Sequence, residues 1–318
     1  MINLDNLSED LKGKRLLITG GSGFFGKNLC EQLNFINSKF NLGMTIYSLG
    51  RNKIIQDGVI FVQHDVSRPF SFDLEIDYLI HAATPVVGNE DFHQTMEIIV
   101  NGTKNTLDFA FKAGCKKFLL VSSGAVYGEQ PQDVLSLTET TTPNGPYYDQ
   151  LSAYATGKRI SEMLALNWSN QFQKNLTIAR CFAFSGKYLP LDKHLAIGNF
   201  VGDALRGQEI NIKGDGTAQR TYMDSEDLVE WLMTILLRGD NQNIYNVGSD
   251  QIVTMKELAE LIAREVPGTR VNIQNLQSTS GKRSRYIPSI KKAQDQLNLE
   301  IRTSLEESLK KMIQFNRG

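Results

Sequence analysis

Long apolar runs are missing from this 318-residue chain. No segment approaches the roughly 18 apolar residues that a helix needs to cross a bilayer, and the N-terminus, MINLDNLSEDLKGK, has no apolar signal core. A soluble, cytoplasmic protein without a membrane partner is the expectation. Cysteine is scarce: Cys30, Cys115 and Cys181 are widely spaced, odd in number and without metal-ligand spacing. That excludes a disulfide framework and leaves free structural thiols in a reducing compartment, with no metal site. Net charge is nearly absent, with 34 Lys and Arg against 35 Asp and Glu. No global field draws the chain to nucleic acid, so any anion must be recognised locally. Internal repeats and low-complexity linkers are also lacking.

Present instead are short β-rich runs alternating with longer helical patterns, the signature of parallel β-α-β units. The predicted strands are Arg15–Thr19, Met44–Ser48, Val59–Gln63, Tyr78–His81, Lys117–Ser122 and Leu176–Arg180, with amphipathic stretches at Phe24–Leu33, Met96–Ala113 and Ala153–Asn170 among them. The economical fold is α/β, a Rossmann-type doubly wound parallel sheet over 1–180. Beyond residue 181 the regularity weakens into loops, a GDGTAQR turn, a helix from near Ser225, a strand in NIYNVGSD, a helix at Met255–Glu265 and a basic stretch, GKRSRYIPSIKKA. Residues 181–318 read as a smaller substrate-side lobe interleaved with the first.

Strand RLLIT runs directly into GGSGFFGKNL, placing Gly20, Gly23 and Gly26 at the spacing G-x-x-G-x-x-G. A tight turn after a strand, close backbone approach to a pyrophosphate and a helix presenting free N–H groups all call for glycine. The turn is therefore expected to bind a nicotinamide dinucleotide. An acid closing the second strand would favour NAD through the adenosine ribose. Here that strand ends TIYSLGRN. Ser48 leaves room and Arg51 suits a 2′-phosphate, so the preference leans toward NADP(H), although Arg51 also fits a solvated loop position.

Tyr154 and Lys158 lie four apart in SAYATGKRISE, on one face of a helix. A phenol with a pKa of about 10 is a poor base near neutrality, and an adjacent ammonium lowers it. Ser123, at the end of the strand in FLLVSSGAVYG, offers a hydroxyl for the same substrate oxygen. Singly, each has an ordinary reading: a surface helix pair and a turn serine.

Taken in order, TGGSGFFG, HDV, HAAT, VSSGAVYG, AYATGK, GDGTAQR before DSEDL, and YNVGS resemble the extended short-chain dehydrogenase/reductase family, in its nucleotide-sugar epimerase/dehydratase branch. The resemblance covers nearly the whole chain. It implies that an NAD(P) cofactor lies along Gly20, Ser22, Gly23, Phe24, Phe25 and Gly26, with Asp65 and Val66 at the adenine. Ala82, Ala83, Thr84, Ser122 and Cys181 would line the rest of its path. Lys158 would hold the nicotinamide ribose and depress the Tyr154 pKa while Tyr154 exchanges a proton with the sugar and Ser123 polarises its oxygen. The implied substrate is a nucleoside-diphosphate sugar, held by Ser123, Gly124, Ala125, Ala183, Asn199 and Arg220. Arg285 is either a further contact or part of a solvated basic run. A homodimer through the Met96–Ala113 and Ala153–Asn170 helices also follows from the resemblance.

Departures from the family pattern narrow the chemistry. Gly124 and Ala125 stand where the 4,6-dehydratases carry an Asp-Glu pair and the decarboxylases a glutamate, so dehydration and decarboxylation both lack their acid and base. Ala125 also replaces the cysteine of epimerase/reductases that act at C3 and C5, and His194 falls one residue out of their register, as a loop residue. Ala183 replaces a substrate-contacting asparagine, which predicts a more apolar pocket around Phe182 and Phe184. Ile99 likewise stands where an asparagine is often found. The expected reaction is reduction of a 4-keto (6-deoxy) sugar by hydride transfer at C4. A 4-epimerase is the alternative within the family, and a non-catalytic dinucleotide-binding protein the alternative outside it.

Overall fold

The computed structural model describes residues 7–53, 56–85, 91–144, 150–192, 195–274 and 284–317; His194 and the start of the basic stretch lie outside them. A short helix α1 (Ser8–Leu11) precedes β1 (Arg15–Thr19), α2 (Phe24–Lys39), β2 (Thr45–Gly50), β3 (Val59–Gln63) and β4 (Tyr78–His81). Then come α3 (Phe92–Met96), a π-type turn at Glu97–Asn101, α4 (Gly102–Lys112), β5 (Lys117–Ser123), α5 (Gln150–Phe172) and β6 (Asn175–Cys181). The remainder holds β7 (Phe184–Ser185), α6 (Ala196–Leu205), β8 (Ile210–Ile212), β9 (Gln219–Thr221), β10 (Met223–Asp224), α7 (Ser225–Arg238), β11 (Asn243–Val247), β12 (Ile252–Thr254), α8 (Met255–Glu265), β13 (Val271–Ile273), β14 (Arg285–Tyr286), α9 (Lys291–Leu297) and α10 (Leu305–Arg317).

Seven parallel strands form the main sheet in the order β11-β6-β5-β4-β1-β2-β3. The order reverses between β1 and β4, and ligands of such sheets bind at that switch point, outside the carboxyl ends of the strands. Apolar residues fill both faces: Leu16, Leu17 and Ile18 of β1 are all buried, as a strand covered by helices on each side requires. The largest apolar cluster runs from Leu7 to Leu299 and includes Trp231, Leu232 and Tyr245. With β11 also drawn from beyond residue 181, the second half of the chain completes the sheet and its core. A separate cluster joins α6, α8 and α10 through Phe200, Leu258 and Leu309.

Local chemistry sets the element ends. Thr254 caps α8 in a reciprocal capping box with Glu257, which satisfies two otherwise unpaired groups at the helix start. Cys30, Cys115 and Cys181 are free and buried. Among the described residues, no helix is long and apolar enough to cross a membrane, and no cluster of His, Cys, Asp or Glu is arranged to hold a metal.

Candidate active site

The turn after β1 is closed by backbone contacts that only glycine permits. Gly20 has φ +75°, and a Cβ there would stand 2.8 Å from the Ala83 backbone, at the end of β4. A Cβ on Gly26 would strike the Gly20 carbonyl and Gly21, so α2 begins hard against the turn. The Gly23 N–H donates to the Gly20 carbonyl at 3.0 Å. Gly23 is also the residue that begins α2, with no side chain capping the helix and no acid in its first turn. The free N–H groups and positive end of α2 therefore face the switch point, a cradle that fits a dinucleotide pyrophosphate.

The neighbouring strand end is pinned from beneath. His81 is buried, with its ring hydrogen-bonded to Thr19 Oγ1 at 2.7 Å and to Thr103 Oγ1 at 3.3 Å. Burial, and then the Lys158 charge, hold its pKa down at about 3. A neutral imidazole thus locks β1, β4 and α4 under the cradle. Ala82 is buried, Ala83 lies against Gly20, and Thr84 is exposed at the mouth.

On the adenosine side, Ser48 corrects an expectation. It is 0% exposed inside β2, and a Cβ on Gly21 would collide with its hydroxyl. The strand runs two residues further than expected, to Gly50, so Ser48 lies inside it rather than at its end, and Arg51 is exposed just beyond. Burial raises the Asp65 carboxyl pKa, but Ser67, through its N–H at 3.0 Å and its hydroxyl, and the charges of Arg51 and Arg68 bring it below its ordinary value. Val66 is buried against Gly102.

Ser123, Tyr154 and Lys158 converge at the carboxyl end of β5. The Tyr154 hydroxyl lies near enough to the Ser123 and Thr84 hydroxyls for them to favour its phenolate, and the Lys158 ammonium lies 5.8 Å from the Tyr154 ring centroid while donating to the Val121 carbonyl at 2.9 Å. Burial lowers Lys158 to about 8. Burial raises the Tyr154 phenol, only partly offset by the Ser123 and Thr84 hydroxyls. The expected depression by Lys158 is therefore not seen in the protein alone, because the ammonium lies by the ring and is engaged with backbone. Cys181 is buried beside this pair, with its thiol pushed well up by desolvation.

Ser122 is a second correction. Strand alternation turns it to the face opposite Ser123, where its hydroxyl donates to Glu162 at 2.5 Å. Phe184 is a third: it is 7% exposed and packs on Phe24 and Phe25 at the start of α2 rather than lining the pocket. Phe182 does line it, stacked on Tyr286 with ring centroids 4.7 Å apart. Ala183 packs partly buried on the second core, and its carbonyl accepts from the Met223 N–H.

Of the expected diphosphate contacts, Arg220 pairs with Tyr286 across β9 and β14 and lies close enough for its charge to act on that phenol. Its guanidinium donates to the Ser284 carbonyl and hydroxyl and to the Gln219 carbonyl. Arg285 points to the other face of the ribbon, with Nε donating to Gln219 Oε1 at 3.1 Å and a terminal nitrogen to the Gln132 carbonyl. Adjacent strand residues alternate, so the structure does not bring Arg285 to Ser123. Asn199 is part-buried on α6. Ala125 donates its N–H to the Ser123 hydroxyl at 3.1 Å.

A model of the NAD-dependent epimerase/dehydratase family matches residues 16–248. The chain belongs to this family. Among its relatives, UDP-glucuronic acid decarboxylase 1 of Arabidopsis thaliana is 32% identical over 319 residues, spanning 95% of this chain and 69% of the plant protein. UDP-glucose 4-epimerase of Thermotoga maritima, solved with UDP-glucose, superposes with a TM-score of 0.80 at 22% identity, covering 95% of this chain and 98% of that one. The dTDP-glucose 4,6-dehydratase of Bacillus anthracis, solved with NAD, gives 0.77 at 21% identity, with 96% of each chain covered.

Sequence reasoning missed one residue of this candidate site. The Tyr286 hydroxyl lies over Gly124 beside Ser123 and interacts with it, yet Tyr286 sits in a stretch that reads as basic and irregular. Its only sequence signal is an aromatic residue embedded in a charge run.

Proposed function

We propose that this chain is an NAD(P)-dependent reductase of a nucleoside-diphosphate 4-keto (6-deoxy) sugar, acting at the single carbon C4. The nicotinamide, when bound in the Gly20–Gly26 cradle, supplies the hydride. Tyr154 delivers the accompanying proton to the C4 oxygen, and Ser123 hydrogen-bonds the same oxygen. Lys158 places a positive charge beside the Tyr154 ring, which favours the phenolate left after proton delivery. Arg220 offers a guanidinium for the diphosphate, a group suited to bidentate phosphate contact.

One observation carries this reading: Ser123, Tyr154 and Lys158 are assembled while the two positions after Ser123 hold no carboxylate. Elimination or decarboxylation engages a second sugar carbon and calls for a further acid or base there. The Arabidopsis relative is named a decarboxylase, which supports a nucleotide-sugar substrate; Gly124 and Ala125 argue for a narrower reaction. On the adenosine side, exposed Arg51 and the lack of an acid at the end of β2 favour NADP(H).

The test is a panel of 4-keto-6-deoxy sugar nucleotides, UDP-glucose and UDP-glucuronic acid, each with NADH, NADPH and NAD+. Stoichiometric consumption of reduced cofactor by a 4-keto sugar is the expected result. Interconversion of UDP-glucose and UDP-galactose without net cofactor turnover would instead assign a 4-epimerase. Carbon dioxide release from UDP-glucuronic acid would overturn the argument from Gly124 and Ala125. Tyr154→Phe should lower turnover by about 10³-fold, in the range for loss of a general acid, while cofactor affinity in calorimetry stays within about twofold. Unchanged turnover would remove Tyr154 from the mechanism.

A further inference from the structure

A second phenol reaches the catalytic serine. Tyr286 lies on β14, which pairs in parallel with β9 so that Tyr286 sits beside Arg220. From there its hydroxyl reaches over Gly124, the residue next to Ser123, close enough for the two hydroxyls to interact. The room it occupies belongs in other respects to residue 124. A Cβ on Gly124 would stand 2.5 Å from the Tyr286 hydroxyl and 2.9 Å from the Phe182 ring. Phe182 stacks on Tyr286 at 4.7 Å with 35° between planes, fixing the ring. Gly124 is therefore a glycine because a phenol from the distal lobe passes over it.

We infer that Tyr286 is a positioning residue, whose hydroxyl donates to Ser123 and thereby directs the Ser123 proton toward the oxygen shared with Tyr154. This rests on the reading of Tyr154 as the proton-transfer group. The bonding around Ser123 is then complete. Its oxygen accepts from the Ala125 N–H at 3.1 Å and from Tyr286, which leaves its single hydrogen to be donated toward Tyr154 and the substrate oxygen. Burial raises the Tyr286 pKa, so this phenol keeps its proton and remains a donor throughout the working pH range. The groups that face the two phenols are Lys158 from α5, Cys181 from β6, Thr84 after β4 and Arg220 from β9. None of these is a carboxylate, and Tyr286 is the phenol among them that acts on Ser123. The same packing closes the side of the site where residue 124 would carry an acid, and this restricts the site to chemistry at one carbon.

The test is Tyr286→Phe, which removes one oxygen and keeps the stacking on Phe182. Ionisation of Tyr154 is read by ultraviolet difference titration with NAD+ present, isolated by subtracting the same titration on a Tyr154→Phe background. Loss of the donor should raise the Tyr154 midpoint by about one pH unit, because Ser123 no longer stabilises the phenolate with a directed proton. In turnover, kcat should fall about 10-fold with KM within twofold, the signature of an interaction made in the transition state. Gly124→Ala, which displaces the Tyr286 hydroxyl, should reproduce both effects. An unmoved Tyr154 midpoint in Tyr286→Phe overturns the inference, as does a change confined to KM. If no sugar nucleotide were turned over, the proposed reduction would fall, and the titration would still decide the role of Tyr286.

Discussion

Lys158 is 4% exposed on α5 with its ammonium aimed at the Val121 carbonyl, and desolvation holds its pKa near 8. The unfolded lysine keeps its proton up to about 10.5, whereas the folded one loses it above about 8. Between those values the unfolded chain binds more protons, so stability rises with pH, and below 8 the whole cost of the buried charge is imposed. That cost is about 3 kcal/mol, at about 1.4 kcal/mol per unit. Lys158→Met should therefore be inactive yet more stable than the wild type by about 2 kcal/mol at neutral pH, with the lost Val121 hydrogen bond subtracted. The two urea midpoints should converge as pH rises toward 10. Parallel midpoints across that range would mean that Lys158 is accommodated without penalty. A buried ammonium retained at such cost accords with the role proposed for Lys158 beside Tyr154.

The β1-to-α2 turn shows how an element is positioned by what glycine leaves out. Gly20→Ala meets both a left-handed φ of +75° and the Ala83 backbone at 2.8 Å. It should cost about 1–3 kcal/mol in the fold and weaken NAD+ binding more than 10-fold in calorimetry, because the loop must shift away from β4. Gly13→Ala is the control: φ is +66° with nothing within 4 Å, so it should lose stability to strain alone and bind cofactor normally. Equal binding losses in both variants would refute the contact argument. The same turn was legible in the sequence, as were β1, β3, β4, α7 and α8, because apolar runs, glycine punctuation and helical periodicity report local physics. The predicted helix over Met96–Ala113 is broken by the π-type turn at Glu97–Asn101. There Ile99 packs where Gly157 lets α5 approach, at 3.3 Å from a Cβ position, a tertiary demand that periodicity does not carry. The two- and three-residue strands β9, β12 and β14 are too short for any pattern. Tyr286 was lost with them, since it reaches Ser123 only through pairing with β9, about sixty residues earlier. Ser48 was read as the open end of β2, whereas the strand continues to Gly50 and Ser48 is buried within it.

Across the whole molecule, one buried polar network ties α5, which carries the proposed Tyr154 and Lys158, to both halves of the chain. Glu162 follows Lys158 by one turn of α5 and takes a bidentate pair from Arg180 of β6, at 3.0 and 2.7 Å, plus the Ser122 hydroxyl of β5. Arg180 also donates to the Tyr127 hydroxyl at 3.0 Å, Tyr127 donates to Asn246 of β11 at 2.8 Å, and Asn246 donates to the Leu137 and Ser289 carbonyls. Arg180 and Glu162 expose only 13% and 8% of their side chains, so removing either partner leaves a buried charge without compensation. Arg180→Met should cost about 3–5 kcal/mol in urea unfolding. Replacing both, with Glu162→Gln added, should recover about 2 kcal/mol of that loss as a coupling energy, since no unpaired charge remains. Strict additivity would show that the network is solvated in solution. Since the main core draws on residues from Leu7 to Leu299, the wild type should unfold in a single transition reported alike by fluorescence and circular dichroism. The network also holds the α5 face that carries Tyr154 and Lys158, so kcat should fall in Arg180→Met and return in part in the double variant. A kcat unchanged in Arg180→Met would separate the fold's stability from the placing of its catalytic helix.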